Sequence, residues 1–301
     1  MRPAPILHFF SFSRLLLKTI TLAAAGLGLA QSFVVDRDVH MLILKRTFTT
    51  SLAGALASGC PERLTGNITD HSGGYIDLLQ ARTPLGMLAA FSQYEKGPIV
   101  EVYSAPSNEN TLNTVHPELG LPGGTGLYTA FIPLLLTPAL ALTVATAERA
   151  EFRLEGPEGA VYEIHTLAGP AADDLYYNYS MRKINADLTR PSFDVDNLSA
   201  IVLPATDSIQ RINVKYANGR TEFLTMLDLK VINSENNPIE TKQVTYYSGG
   251  RNTVDGLSLL SEYVVMPIDD VVHIDFETDG TVIDFLQVQK RHRGVDYSTS
   301  K

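Results

Sequence analysis

The 301-residue sequence contains no tryptophan and a single cysteine, Cys60. One cysteine cannot form an intramolecular disulfide, so apolar burial and hydrogen bonds must hold the fold together. A nucleophilic cysteine needs a histidine base that the fold brings beside it. The seven histidines are scattered along the chain, and we therefore expect Cys60 to be inert.

Charge is also scarce, because charged residues make up 19% of the chain and the formal net charge is -9. A general nucleic-acid binder needs a basic stripe that displaces counterions from phosphates, and this composition argues against such a partner. A charge-poor surface is typical of proteins that pack against neighbours or lipid, but it equally fits a neutral soluble domain. The basic run from Lys290 to Arg293 is expected to be a solvated cluster.

Motifs that carry chemistry are missing. No zinc-ligand spacing joins the histidines at positions 8, 40, 71, 116, 165, 273 and 292, and no nucleophile elbow surrounds a serine. The glycines Gly123, Gly124 and Gly126 lack the Lys-Ser or Lys-Thr of a phosphate loop. We therefore predict no catalytic residue, no cofactor-binding residue, no metal-binding residue and no enzymatic activity.

Three weaker sequence signals could indicate a binding or modification site. The segment from Asp275 to Gly280 imitates the start of a calcium loop, but Leu286 stands where the bidentate glutamate belongs, so we predict a hairpin turn at Asp279-Gly280. The adjacent acids Asp173-Asp174 and Asp269-Asp270 are expected in solvated loops. Glycosylation triplets have meaning only in a eukaryotic secretory context, and they begin at Asn67, Asn178 and Asn197.

Alternation of apolar and polar residues is abundant, above all from Ser199 to Arg291. Ile209 to Tyr216 alternates up to Asn218-Gly219, which favours a type I′ hairpin. Further strands are predicted, among others, at Met87–Tyr94 and Thr221–Val231. A generous count gives about sixteen strands, or two sets of eight, with no strand–helix alternation. The sequence therefore predicts an all-β fold.

Other segments carry more specific predictions. Residues 58–74 are expected to form a loop, Glu151 to Leu167 a hairpin around Gly156–Gly159, and residues 168–197 a connection between domains. The uncharged stretch from Phe131 to Leu142 could be a membrane helix, but Pro133 and Pro138 favour two buried strands.

The first 35 residues contain no acid, and Thr19 to Ala30 is uninterruptedly apolar or small. Three interpretations remain open: a secretory signal cleaved near Ala30, a mitochondrial transit peptide, and a retained apolar arm on a membrane or under a protein shell. We divide the chain into an arm or signal at residues 1–31, a first β-sandwich at 32–170 and a second at 171–301.

The hairpin from Ile209 to Arg220 and the pair of strands that begins at Val271 resemble those of jelly-roll coat proteins of tailless, membrane-containing bacteriophages. This resemblance covers about the last hundred residues. It implies a double jelly roll that forms homotrimers and meets other capsid proteins in an icosahedral virion shell around a lipid bilayer. Residues 1–30 would then contact the membrane.

The rival hypothesis is a secreted or periplasmic β-sandwich that binds a glycan or a protein after removal of residues 1–30. Its loops around Gly123 or Asp255-Gly256 would hold the ligand. The two hypotheses differ in the state of the N-terminus, because export predicts cleavage near Ala30 and the coat protein keeps Met1 or Arg2.

Overall fold

The computed structural model describes residues 20–23, 26–49, 62–69, 75–96, 101–104, 127–138, 140–144, 148–156, 158, 160–167, 172–184, 192–195, 197–236, 246–248, 251–253 and 263–293. Cys60, the cluster at Gly123 to Gly126 and Asp255-Gly256 lie outside these residues. The described part of the chain forms 21 strands and two helices.

Among the described residues, ten strands precede residue 170 and eleven follow it. Strands β1 to β10 are Ile20–Ala23, Gly26–Val35, Met41–Thr49, Arg63–Thr69, Tyr75–Pro84, Glu101–Ser104, Leu127–Leu135, Ala141–Leu142, Arg149–Gly156 and Val161–Leu167. Strands β11 to β21 are Ala172–Asp173, Leu175–Ile184, Ser192–Asp194, Leu198–Pro204, Ile209–Tyr216, Thr221–Leu224, Tyr246–Ser248, Arg251–Thr253, Tyr263–Pro267, Val271–Thr278 and Ile283–His292. The helices are α1, Leu85–Lys96, and α2, Met226–Asn236.

One eight-stranded sheet, in the order β19-β14-β21-β12-β5-β4-β9-β2, runs through the whole molecule. Its β5-β4-β9-β2 half belongs to the same sandwich as the five-stranded sheet β1-β10-β3-β7-β6, and we call this unit the first sandwich. Its other half packs on the four-stranded sheet β13-β20-β15-β16 and forms the second sandwich. The halves join where β5 and β12 pair in parallel, with Tyr179 opposite Leu79.

Helix α1 fills the space between the two sandwiches. Its residues from Leu85 to Gln93 are all buried. Phe91 lies 5.1 Å from the Tyr177 ring and 5.9 Å from the Tyr179 ring, both edge-on. Burial raises the pKa of both tyrosines above the ordinary value of 10.

The prediction of a strand at Met87–Tyr94 is therefore wrong. A segment buried on all sides shows no amphipathic period, and periodicity alone cannot distinguish it from a buried strand. Its length and the helix-forming pair Ala89-Ala90 were the available signals for a helix.

The strand predicted at Thr221–Val231 is also wrong beyond Leu224, because α2 begins at Met226. Thr225 caps this helix: its backbone N–H and hydroxyl donate to Asp228 Oδ2, both at 2.7 Å, and its Oγ1 accepts from the Asp228 N–H at 3.3 Å. This is a reciprocal capping box, with aspartate in the usual place of glutamate. The spacing Thr225-x-x-Asp228 is visible in the sequence and was missed.

Two predicted hairpins are connections between facing sheets. Strand β9 lies in the eight-stranded sheet and β10 in the five-stranded one, so the turn at Gly156–Gly159 crosses the first core. The turn at Asp279-Gly280 likewise joins β20 to β21 across the second core, where the Phe276 and Phe285 rings lie 6.0 Å apart. Alternation identified the core-facing side chains correctly but not the pairing partners.

The hairpin at Asn218-Gly219 is confirmed, since β15 pairs with β16. Its turn is not type I′, because Gly219 has φ +84° but Asn218 is not among the residues with positive φ. The Gly219 N–H donates to Tyr216 O and the Tyr216 N–H donates to Arg220 O, each at 2.9 Å. This is the bonding of a three-residue loop that ends on a left-handed glycine.

Two strands occupy segments that the sequence assigned to connections. Strand β4 lies inside the expected loop at residues 58–74, and β12 lies inside the expected domain connection at residues 168–197. Gly66 weakened the strand signal of β4, yet it is needed there, because a Cβ at this position would lie 2.5 Å from Phe152 Cδ1.

The apolar N-terminal segment forms strands where it is described. Strand β1 pairs with β10, and β2 pairs with β9 at one edge of the eight-stranded sheet. The boundary predicted between residues 31 and 32 falls within β2, and the one between 170 and 171 falls between β10 and β11. The three-part division of the chain stays a prediction.

The uncharged stretch from Phe131 to Leu142 contains the end of β7 and all of β8, which confirms the preference for strands over a membrane helix. Within the described ranges, neither helix is long and apolar enough to span a membrane.

Candidate functional site

The acids of the segment from Asp275 to Gly280, which imitates a calcium loop, contact side chains and backbone groups close to them in the sequence. Asp275 Oδ1 lies 3.0 Å from His273 Nε2, and Asp279 Oδ1 accepts the Thr281 N–H at 2.8 Å. The hydrogen bonds from Thr281 hold the pKa of Asp279 below its ordinary value. Among the described residues no three histidine, cysteine or acidic side chains come together as a metal site.

The described histidines occupy separate environments. His40 is buried, with Nδ1 2.5 Å from Thr137 Oγ1, and His165 Nε2 lies 3.7 Å from Glu163 Oε2. His292 lies at the end of β21. Positions 8, 71 and 116 lie outside the described residues.

The glycosylation triplets and acid pairs have different exposures. Asn178 is fully buried in β12 and donates to Asp77 O at 2.6 Å, so its amide is not accessible for modification. Asn67 is half-buried and Asn197 is exposed. Asp174, Asp269 and Asp270 are exposed, as expected for solvated acids.

A cleft of about 580 Å³ opens where the two sandwiches meet, and we call it the junction cleft. Its walls come from both sandwiches: Arg63 and Arg82 from the first, and Met181, Pro204 and Tyr263 from the second. The end of β5 contributes Pro84, and the first turn of α1 contributes Met87. No local pattern in the sequence predicts this cleft, because its lining residues lie between positions 63 and 284.

A charged network lies at one end of the junction cleft. Glu155 is almost buried, and its Oε2 accepts hydrogen bonds from Arg82 Nη2 at 2.7 Å, Arg82 Nε at 3.1 Å and the Gly28 N–H at 2.9 Å. Arg63 stands opposite Glu155 in the β4–β9 register. Among the described residues, the Arg63 guanidinium makes one long hydrogen bond, 3.5 Å to Glu62 O, and no ion pair.

The two edges of the eight-stranded sheet end differently. At the β19 edge, the buried Asn233 side chain of α2 donates from Nδ2 to Val265 O at 2.6 Å and accepts the Val265 N–H at Oδ1 at 2.7 Å. Its amide thus replaces the peptide group of a neighbouring strand. At the opposite edge, β2 has no further paired strand among the described residues. A sheet edge left open can pair with another chain.

Exposed apolar side chains gather on the flank of the second sandwich. Leu227 and Val231 lie one turn apart on α2, with 69% and 49% of their surfaces exposed. Phe223 on the adjacent β16 is 57% exposed, and the Arg211 guanidinium lies 3.6 Å from its ring centroid. We call Phe223, Leu227 and Val231 the flank patch. Apolar patches of this kind are typical of protein contact surfaces.

The fold resembles solved structures of viral coat proteins. The crystal structure of the STIV MCP, a major capsid protein, has a TM-score of 0.51 at 10% identity and covers 90% of this chain and 95% of that one. A structure of Sulfolobus Turreted Icosahedral Virus has a TM-score of 0.46 at 10% identity, covering 91% and 90%. The major capsid protein P2 from bacteriophage PM2 also has a TM-score of 0.46, at 8% identity, covering 93% and 100%.

No protein-family model and no curated protein matches the chain. The likeness to the first of these structures therefore defines the class by fold alone. The chain has an all-β, double jelly-roll fold, and this prediction is confirmed.

Proposed function

We propose that the chain is a structural coat protein, without enzymatic activity, whose copies assemble into the icosahedral shell of a virion. The observation that carries the proposal is the fold likeness to the STIV MCP, which extends over 90% of this chain and 95% of that protein. A likeness over nearly the full length of both chains includes both sandwiches and their junction. It is therefore more specific than a likeness between single β-sandwich domains, which are widespread.

The internal construction suits a shell subunit. The eight-stranded sheet continues from one sandwich into the other, and α1 packs against both. The junction of such a subunit is therefore not a hinge, and a contact made by one sandwich can bear on the other. The flank patch supplies apolar surface for a neighbour, and a shell repeats each contact so often that a single interface can be modest.

Three finer statements belong to the proposal. The subunits form homotrimers that meet other capsid proteins, residues 1–30 contact a membrane inside the shell, and residues 32–170 and 171–301 are the two jelly rolls. The exposed Leu29 in β2 supports a contact role for the N-terminal region, because 59% of its surface faces outward.

The test is the assembly state of the purified full-length protein, measured by size-exclusion chromatography with light scattering and by electron microscopy. We expect trimers or larger particles. Leu227→Glu places a charge in the flank patch and should reduce assembly, whereas Lys230→Glu on the same helix, at an exposed position outside the patch, is the matched control. A monodisperse wild-type monomer would contradict the proposal.

The export alternative conflicts with the observed pairing. Cleavage after Ala30 would remove β1 and the first half of β2, and both strands are paired in the first sandwich. Deleting residues 2–19 keeps both strands. We expect this deletion to preserve folding while it reduces co-sedimentation of the protein with lipid vesicles.

A further inference from the structure

We propose that the junction cleft binds an anionic amphiphile, a molecule that carries a phosphate or carboxylate group on an apolar body. The cleft volume of about 580 Å³ is in the range of small-molecule sites. This inference goes beyond a coat role, because a subunit can assemble without a ligand between its two sandwiches.

The anionic group would bind at the arginine end. Arginine carries five N–H donors, and Glu155 engages only two groups of Arg82, whose side chain remains 62% exposed. Arg63 has no ion-pair partner among the described residues. Glu155 lies opposite Arg63 in the β4–β9 register, but its Oε2 is bonded to Arg82. A guanidinium that makes no ion pair favours a phosphate or carboxylate, which it can bind through two parallel hydrogen bonds.

The apolar body would lie along the floor of the cleft. Pro84, Met87, Met181 and Pro204 supply apolar surface, and the two thioethers can adapt to ligands of different shape. Gly86 brings the Tyr263 ring close to the first turn of α1, since a Cβ at this position would lie 2.9 Å from Tyr263 Cε2. The tyrosine lines the cleft beside this turn.

The remaining polar groups set the orientation of the ligand. Asp284 is the one carboxylate among the described residues that line the cleft and would repel an anion, but its Oδ1 lies 3.6 Å from Lys183 Nζ. The hydroxyls of Thr206, Ser208 and Thr281 also line the cleft. The charged group is therefore expected at Arg63 and Arg82, and the apolar body between the two methionines.

Three probes separate the parts of this chemistry: decyl phosphate below its micelle concentration, inorganic phosphate and decanol, each titrated calorimetrically into the full-length protein. Decyl phosphate should bind at least about tenfold more tightly than either other probe, because only it uses both halves of the cleft. Equal binding of inorganic phosphate, or equal binding of decanol, would overturn the proposal of an amphiphile site.

Matched variants locate the binding. Arg63→Gln should weaken decyl phosphate binding about tenfold, the effect of losing a charge-assisted hydrogen bond. Glu155→Gln should strengthen it severalfold, because Arg82 loses its competing carboxylate. Arg211→Gln, at the flank patch, should leave the affinity unchanged. An Arg63→Gln protein that is folded by circular dichroism and binds like the wild type would refute the assignment.

The wild-type protein offers a readout that needs no substitution. The chain has six methionines, so a methyl NMR spectrum of the labelled protein can follow each part of the molecule. Decyl phosphate should shift Met87 and Met181 at the cleft and leave Met226 and Met266 in the second core unchanged. Shifts confined to Met226 and Met266 would place the ligand outside the junction cleft. No shift at saturating ligand would mean that the protein does not bind it.

Discussion

The two halves of the eight-stranded sheet differ in how they are covered. In the β5-β4-β9-β2 half, side chains alternate between core and outer face, as in β4 with Leu64 and Ile68 inside and Arg63 and Thr65 half-buried. In the β12-β21-β14-β19 half, both faces are buried along the middle of the strands. Val202 faces the α1 side and Ile201 the second core, and both are fully buried.

The difference explains where sequence alternation succeeds. A sheet with one wet face needs polar residues at every second position, whereas a sheet covered on both faces becomes a continuous apolar run. The runs Ala200-Ile201-Val202-Leu203 and Val264-Val265-Met266 belong to the second kind. Helix α1 therefore holds the two sandwiches together. It covers the face of the β12-β21-β14-β19 half that a separate second sandwich would expose.

The strongest test of this comparison uses two leucines in the same sheet. Leu286→Ala, in the doubly covered half, should lower the free energy of unfolding by about 2–5 kcal/mol, because Leu286 is fully buried and the cavity cannot fill with water. Leu29→Ala in β2, with Leu29 59% exposed, should change it by less than about 0.5 kcal/mol. Urea denaturation measures both, and similar losses would mean that the two halves are not covered differently.

A second test concerns the closed edge. Asn233→Ala should cost about 1–3 kcal/mol in urea denaturation, because the Val265 N–H and C=O lose their partners in a buried setting. The variant should also associate more strongly at high concentration, since the β19 edge becomes available for pairing. Lys230→Ala, exposed on the same helix, is the control. An Asn233 variant that behaves like this control would show that α2 does not close the edge.

The smallest expected effect concerns the start of α2. Hydrogen bonds from Thr225 lower the pKa of Asp228 below its ordinary value of 3.8, so the carboxylate form favours the folded state. Its stabilisation is present above pH 3.8 and disappears as the pH falls through the lowered pKa. Asp228→Asn should therefore lower the thermal midpoint slightly at neutral pH and not in strong acid. A difference from the wild type that persists in strong acid would assign the effect to something other than the charge.

Sequence patterns predicted the class of this fold and several core-facing positions, including Phe152, Tyr162, Phe276 and Phe285. Pairing was harder, because a turn such as Asp279-Gly280 has the same local chemistry whether its strands are neighbours or face each other across a core. Arg63, Arg82 and Tyr263 could not be grouped at all, since only tertiary packing brings these distant segments to one cleft.

The pairing of the outer strands sets a condition on the order of folding. β2 finds its partner only when β9 has been made, with Gly26 opposite Gly156, and β12 must wait for β21, with Ile184 opposite Ile283. Each sandwich therefore closes between segments about a hundred residues apart or more, and such long loops slow the search for native contacts. During synthesis β2 therefore stays without its partner until β9 has been made, and its edge is open to wrong pairing in the nascent chain.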